Sequence, residues 1–268
     1  MDAADGVQLN DRRLGGWHDG AVTTLQQWWD TVRTVVVEIW RRATTEQPAP
    51  EPNVIAGIAI VALIICASPV WPVVRMLITI THEGAHALVS VLVGRRLSGI
   101  HLNNDTSGVT ISKGRPRGPG MVATLVVGYP GAALYGLAAA LLLSAGYAVG
   151  VLWLTVLVLG MMLLWMRNLY GFAVIIGVGA LVAAASWLLP PVWQSWLAYG
   201  LCWVLLLGAP RPVVELARRP ERGSDADQLG RLTFLPAAGW VGLFLIITVA
   251  AAATGAWLLL PLAQWFGA

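Results

Sequence analysis

Between residues 53 and 209 the chain carries only two acidic side chains, Glu83 and Asp105. That scarcity leaves apolar runs at roughly 53–72, 76–93, 119–144, 148–166, 170–189, 192–209 and 235–260. Each is long enough to cross the hydrocarbon layer of a bilayer as a helix. Lipid offers a backbone no hydrogen-bond partners, so runs of this kind fold as helices whose amides are satisfied internally. The rest of the composition agrees: 57% hydrophobic and 12% charged residues, with mean hydropathy +0.70. The expected fold class is an all-α polytopic membrane protein of about seven transmembrane helices.

Charge placement supplies an orientation. Seven alternating spans put residues 1–52, 94–118, 167–169 and 210–234 on one side, and these segments hold every Lys and Arg except Arg75. By the positive-inside rule the N-terminus is cytoplasmic and the C-terminus lies outside the cell membrane. Trp71, Trp187, Trp193, Trp257 and Trp265 then sit near outer ends, as an aromatic belt would, while Trp153 and Trp203 fall deeper as packing residues. A net charge of +3 and pI near 9.2 do not indicate nucleic acid, because the chain has no basic stripe interleaved with exposed aromatics. Cys66 and Cys202 both fall inside apolar runs, which argues against a disulfide framework. The opening residues are polar and lack an apolar signal-peptide core, so the mature chain is expected to start at or near Met1.

Two domains are expected: a cytoplasmic N-terminal region over 1–52 and a membrane-embedded domain over 53–268. The first has a helix-compatible stretch, 22–42, with Trp28, Trp29 and Trp40 beside Arg33, Arg41 and Arg42. It reads either as an interfacial helix or as a solvated helix or partly disordered tail, closed by the Pro-rich linker 47–52. The second has one strand signature, after its second span. Residues 97–102 and 109–112 flank a turn of Asn103, Asn104, Asp105, Thr106, Ser107 and Gly108, which predicts a β-hairpin.

The second apolar run contains His82-Glu83-Gly84-Ala85-His86. Positions i and i+4 share a helix face, so both imidazoles can reach one Zn²⁺, with Glu83 beside them as a proton acceptor. With this composition the pattern arises by chance in about one shuffled sequence in a thousand. Ionisable groups within a span are costly, about 2.5 to 3.5 kcal/mol each, and a bound metal compensates them. The alternative is a buried His-Glu-His network that joins helices. Gly84 and Ala85 leave room for a close neighbour. With metal bound, Glu83 acts as the catalytic base of peptide hydrolysis.

The His-Glu-Gly-Ala-His motif within an apolar span, followed by a short hairpin, resembles the site-2 protease family of intramembrane zinc metalloproteases. The resemblance covers most of residues 53–260 and is nearest to compact bacterial peptidase-like members. It implies zinc held by His82 and His86, one ion per chain, with Glu83 as base. It also implies cleavage of membrane-anchored protein substrates within the lipid bilayer, in regulated intramembrane proteolysis. The chain departs from the family in lacking a Leu-Asp-Gly motif to give the third ligand. The best substitute lies in Ser224-Asp225-Ala226-Asp227, where Asp225 is the expected ligand, with Asp227 or His101 next. Capping of the following helix is the competing role for this segment. Gly128-Tyr129-Pro130-Gly131 should break or kink the third span, and Arg167-Asn168 reads as an anchor and cap or as a polar contact to substrate. A non-catalytic membrane scaffold that keeps the fold is the alternative function, and the oligomeric state is unknown.

Overall fold

The computed structural model describes residues 26–260. Residues 22–25 of the expected first helix, and Trp265, lie outside the described residues. The chain divides into two units between Thr45 and Glu46. The first holds helix α1, 26–44, in which Trp28, Trp29, Val32, Val36, Ile39 and Trp40 recur on one face. Glu38 accepts hydrogen bonds from Arg41 and Arg42 on the polar face, and these two cations lower its pKa to about 2.

The second unit begins with α2 (Pro52–Ala67) and α3 (Trp71–Leu92). Ser68 precedes Pro69 and is extended, because the proline ring disfavours helical backbone in the residue before it. α2 ends there, and α3 leaves at 100° to it. Next come the strands β1 (Arg96–Leu102) and β2 (Gly108–Lys113), antiparallel, with a bulge between Leu97 and Gly99. Their turn is closed by Asp105 Oδ1, which accepts from both the backbone N–H and the hydroxyl of Ser107. Those bonds hold the Asp105 carboxyl below its ordinary pKa.

Helices α4 (Pro119–Val126) and α5 (Gly128–Ser144) follow, bent by 61° at Val127, then α6 (Ala148–Leu163) and α7 (Leu169–Leu188). The last four are α8 (Pro191–Gly208), its continuation α9 (Pro210–Arg218), the short α10 (Asp225–Leu232) and α11 (Ala237–Leu259). Proline at the first or second helical position starts α2, α3, α4, α8 and α9, where a missing N–H leaves no bond unmade.

Three apolar clusters hold these elements together. The largest joins α2, α5, α8 and α11 through residues such as Ile55, Trp203 and Leu206. A second packs α3 and β1 on α6 and α7, with Ile100, Leu102 and Ile175 at its centre. The third sits beneath α4, α9, α10 and α11, around Val213, Leu229 and Phe244. Outward faces are apolar too: Ile64, Leu181, Leu188 and Ile246 are exposed. That is the surface of a multi-pass membrane protein rather than of a water-soluble domain. Cys66 and Cys202 are buried free thiols that serve packing.

Seven alternating spans do not describe this bundle. Three helical stretches are long and apolar enough to cross on their own, and five if each bent pair is one crossing, while α6 is shorter. Moreover, Gly200 faces Ile58, and the Cys66 thiol faces Val204 O at 3.9 Å. The residue numbers rise together, so α2 and α8 run parallel, whereas a first and a sixth alternating span run antiparallel. Arg75, expected alone on the outer side, pairs with Glu215 at 2.8 Å, a residue expected on the inner side. Trp71 is likewise no belt residue. It is buried, with the Arg211 guanidinium 4.3 Å above its ring.

Candidate metal centre

The centre is built from α3, the α4–α5 break and the start of α10. One helical turn separates His82 from His86, which sets their Nε2 atoms 3.0 Å apart on the same face. His86 is buried, and its Nδ1–H donates to the carbonyl of Thr124 on α4 at 2.7 Å. A carbonyl only accepts, so that bond fixes the tautomer and leaves the Nε2 lone pair facing His82. The His82 ring meets the Tyr129 ring edge-on at 5.0 Å, and Tyr129 in turn stacks on Phe244 of α11.

Asp225 arrives from a different part of the chain. Ser224 is the N-cap of α10, its hydroxyl accepting from the backbone N–H of Asp227. Asp227 folds back, and its Oδ2 accepts from the N–H of Gly223 and pairs with Arg231. These two residues close the helix start between them, which frees Asp225 to point inward. Its Oδ2 lies 3.3 Å from His82 Nε2 and 3.2 Å from His86 Nε2. The oxygen is buried yet forms no hydrogen bond with either ring.

The three donor atoms fit a metal. A tetrahedron with ligands at about 2.0 to 2.1 Å has edges of about 3.3 to 3.4 Å, and the observed separations are 3.0, 3.2 and 3.3 Å. Two imidazole nitrogens and a carboxylate oxygen with converging lone pairs are a poor arrangement for one another and a good one for a cation. Among the described residues this is the one group of three His, Cys, Asp or Glu side chains so disposed.

Backbone must come close for the trio to form. A Cβ on Gly128 would lie 2.5 Å from His86 Nε2 and would also strike Asp225 Oδ2, so only glycine leaves the centre open. This is what the break at 128–131 achieves. Gly131 then rests against Ala85 of the motif, the close approach that a small residue there permits.

Glu83 is 4% exposed, and its Oε2 has no hydrogen-bond partner. The hairpin covers it. The Thr110 hydroxyl donates to the Glu83 carbonyl at 3.1 Å, and a Cβ on Gly108 would lie 2.6 Å from Glu83 Cγ. His101 pairs with Val109 in the ladder and stands outside the trio. Asn168 caps no helix with its side chain. It clamps β1 instead, accepting from Leu102 N–H and donating to Leu102 O, while Arg167 donates to Ser98 O. The Thr124 carbonyl and the aromatic support from Tyr129 and Phe244 are parts of the centre that the motif does not announce.

A family model described as peptidase M50B-like matches residues 55–255, a stretch that holds every residue of this centre. No curated protein and no solved structure matches the chain. The match covers well over half of the sequence, and the chain belongs to the peptidase M50B-like family of site-2 protease-type membrane peptidases.

Proposed function

We propose that the chain is an intramembrane zinc metalloendopeptidase that hydrolyses a peptide bond in membrane-anchored protein substrates. The observation that carries this is the convergence of His82, His86 and Asp225 at tetrahedral-edge distances beside a buried, unpartnered Glu83. His82, His86 and Asp225 would hold the ion. Zinc, when bound, supplies Lewis-acid polarisation of a carbonyl and acidifies water toward neutral pH.

The remaining chemistry belongs to the chain's own residues. Glu83 lies next in sequence to His82, and its carboxylate takes a proton from the attacking water. The same carboxyl then passes that proton to the leaving amine, so that the base regenerates and the new N-terminus departs neutral. The Thr124 carbonyl holds the His86 ring in its ligating tautomer.

A substrate helix hides its own carbonyls and must unwind before cleavage. The hairpin offers the unwound segment an edge. β1 is engaged on its outer side by Met166 and Asn168, whereas β2 has no further strand beside it among the described residues. Strand addition on β2 would run the substrate backbone past Gly108 and therefore past Glu83.

The test compares new protein N-termini in membranes of cells producing the wild type with those of cells producing Glu83→Gln. Sites inside or beside membrane segments should appear only with Glu83 present. Identical sets in both membranes contradict the assignment.

A further inference from the structure

The contacts of the second unit sort its loops onto two opposite ends. At one end the Gln47 N–H donates to Gly146 O at 2.8 Å, and Gln47 Oε1 accepts from Val149 N–H, so the segment before α2 meets the α5–α6 turn. α2 and α8 run parallel, which brings the α7–α8 link to this end as well. α5 and α11 also run parallel, since Tyr129 stacks on Phe244 while Leu206 touches both Gly136 and Gly255. α11 therefore finishes where α5 does.

The opposite end gathers the rest. Arg211, just past α8, donates to Cys66 O at the end of α2. Arg75, at the start of α3, pairs with Glu215 of α9. Ile100 of the hairpin bonds Trp165 O and Arg167 N–H, just past α6. Thus α3 starts beside α9 and ends at the hairpin, both at this same end, and its 100° turn from α2 is a return into the bundle rather than a second crossing. The candidate metal centre, on α3 and α10, belongs to this end too.

Cations are divided accordingly. Every Lys and Arg between residues 46 and 260 lies at the second end: Arg75, the hairpin segment from Arg95 to Arg117, Arg167, and the segment from Arg211 to Arg231. The first end carries Glu46 and Glu51 and no cation of this unit. Arg33, Arg41 and Arg42 precede this end in sequence, so twelve cations flank the crossings at the second end against three within 20 residues of α2, and the larger side sets orientation.

We infer that the chain crosses the membrane six times, by α2, α5, α6, α7, α8 and α11, with the metal centre opening toward the cytoplasmic face and the segment before α2 on the opposite, extracytoplasmic side. An even count puts residue 46 and the end of α11 in the same compartment. The shortest crossings, α2 and α6, have 16 residues each and are about 24 Å long, somewhat under the hydrocarbon thickness and within what local bilayer thinning accommodates. The inference concerns topology alone and stands whether or not the centre is catalytic.

The full chain is suited to a cysteine-accessibility test, because Cys66 and Cys202 are buried. Glu51→Cys, Ala145→Cys, Arg115→Cys and Arg222→Cys each place a thiol at an exposed position. With a membrane-impermeant maleimide, the first two should label in intact cells as fully as after permeabilisation, and the last two only after it. Protection of Glu51→Cys alongside labelling of Ala145→Cys would restore an odd number of crossings and overturn the inference. Labelling of Arg115→Cys in intact cells would overturn the orientation. Glu46→Cys gives a second reading of the first end should Glu51→Cys fail to accumulate.

Discussion

Asp225 and Asp227 are two residues apart, equal in chemistry and unequal in role. Asp227 accepts from the Gly223 N–H and pairs with Arg231, whereas Asp225 meets two imidazoles and has no hydrogen bond of its own. Asp225→Ala should therefore lose bound zinc, while Asp227→Ala keeps it and lowers stability by about 1 kcal/mol, the usual effect of losing a helix cap. Zinc content and thermal unfolding of the two purified variants separate these outcomes, and equal zinc loss in both would remove the distinction. Glu83→Gln preserves shape but not basicity, so it should retain the metal while turnover falls by about 10² to 10⁴. Gly128→Ala tests the approach of backbone to the centre. The added methyl should destabilise by about 1 to 3 kcal/mol through overpacking and reduce zinc occupancy as well. Unchanged occupancy would show that the cleft tolerates a Cβ. At this scale the sequence was informative where side chains carry the chemistry. His82, Glu83 and His86 announce themselves by helical spacing, and Asp225 by the small choice of acids after Asp105, where only Glu215, Glu221 and Asp227 stand beside it. The Thr124 carbonyl left no trace, because every residue has one.

The motif sits in the middle of α3, and the other elements position the centre through their ends and breaks. The hairpin was legible because turn residues and alternating strands leave a local signature, and the observed β1 and β2 differ from the expected strands by a residue at most at each end. Its docking was not legible. Asn168 spends both halves of its amide on the backbone of Leu102, a fully buried residue, which makes it an extension of the ladder rather than a cap. Asn168→Ala leaves that N–H and C=O without partners and should lower stability by about 1 to 3 kcal/mol, with the hairpin first to lose protection in hydrogen exchange. Unaltered exchange across 96–113 would mean that the apolar contacts of Ile100 and Leu102 suffice. The two bends also had visible causes in Ser68-Pro69 and in Gly128-Tyr129-Pro130-Gly131. What the chain did not reveal was their angle, which is set by where α3 and α5 find packing partners.

For the whole molecule, hydropathy identified a multi-pass membrane protein and misjudged its path. Periodicity and charge cannot distinguish an apolar helix that crosses from one that turns back, and α3 does the latter because its polar face needs α10 and the hairpin. That reversal is what lets two histidines, a distant aspartate and a glutamate share one end of the bundle without each standing alone in lipid. The proposed function rests on zinc being held at this convergence. Zinc-edge X-ray absorption of the purified wild-type chain tests it most directly. About one zinc per chain should be found, with nitrogen and oxygen neighbours at about 2.0 to 2.1 Å and an imidazole signature. Absence of zinc under conditions that preserve the fold, or a first shell containing sulfur at about 2.3 Å, would contradict it.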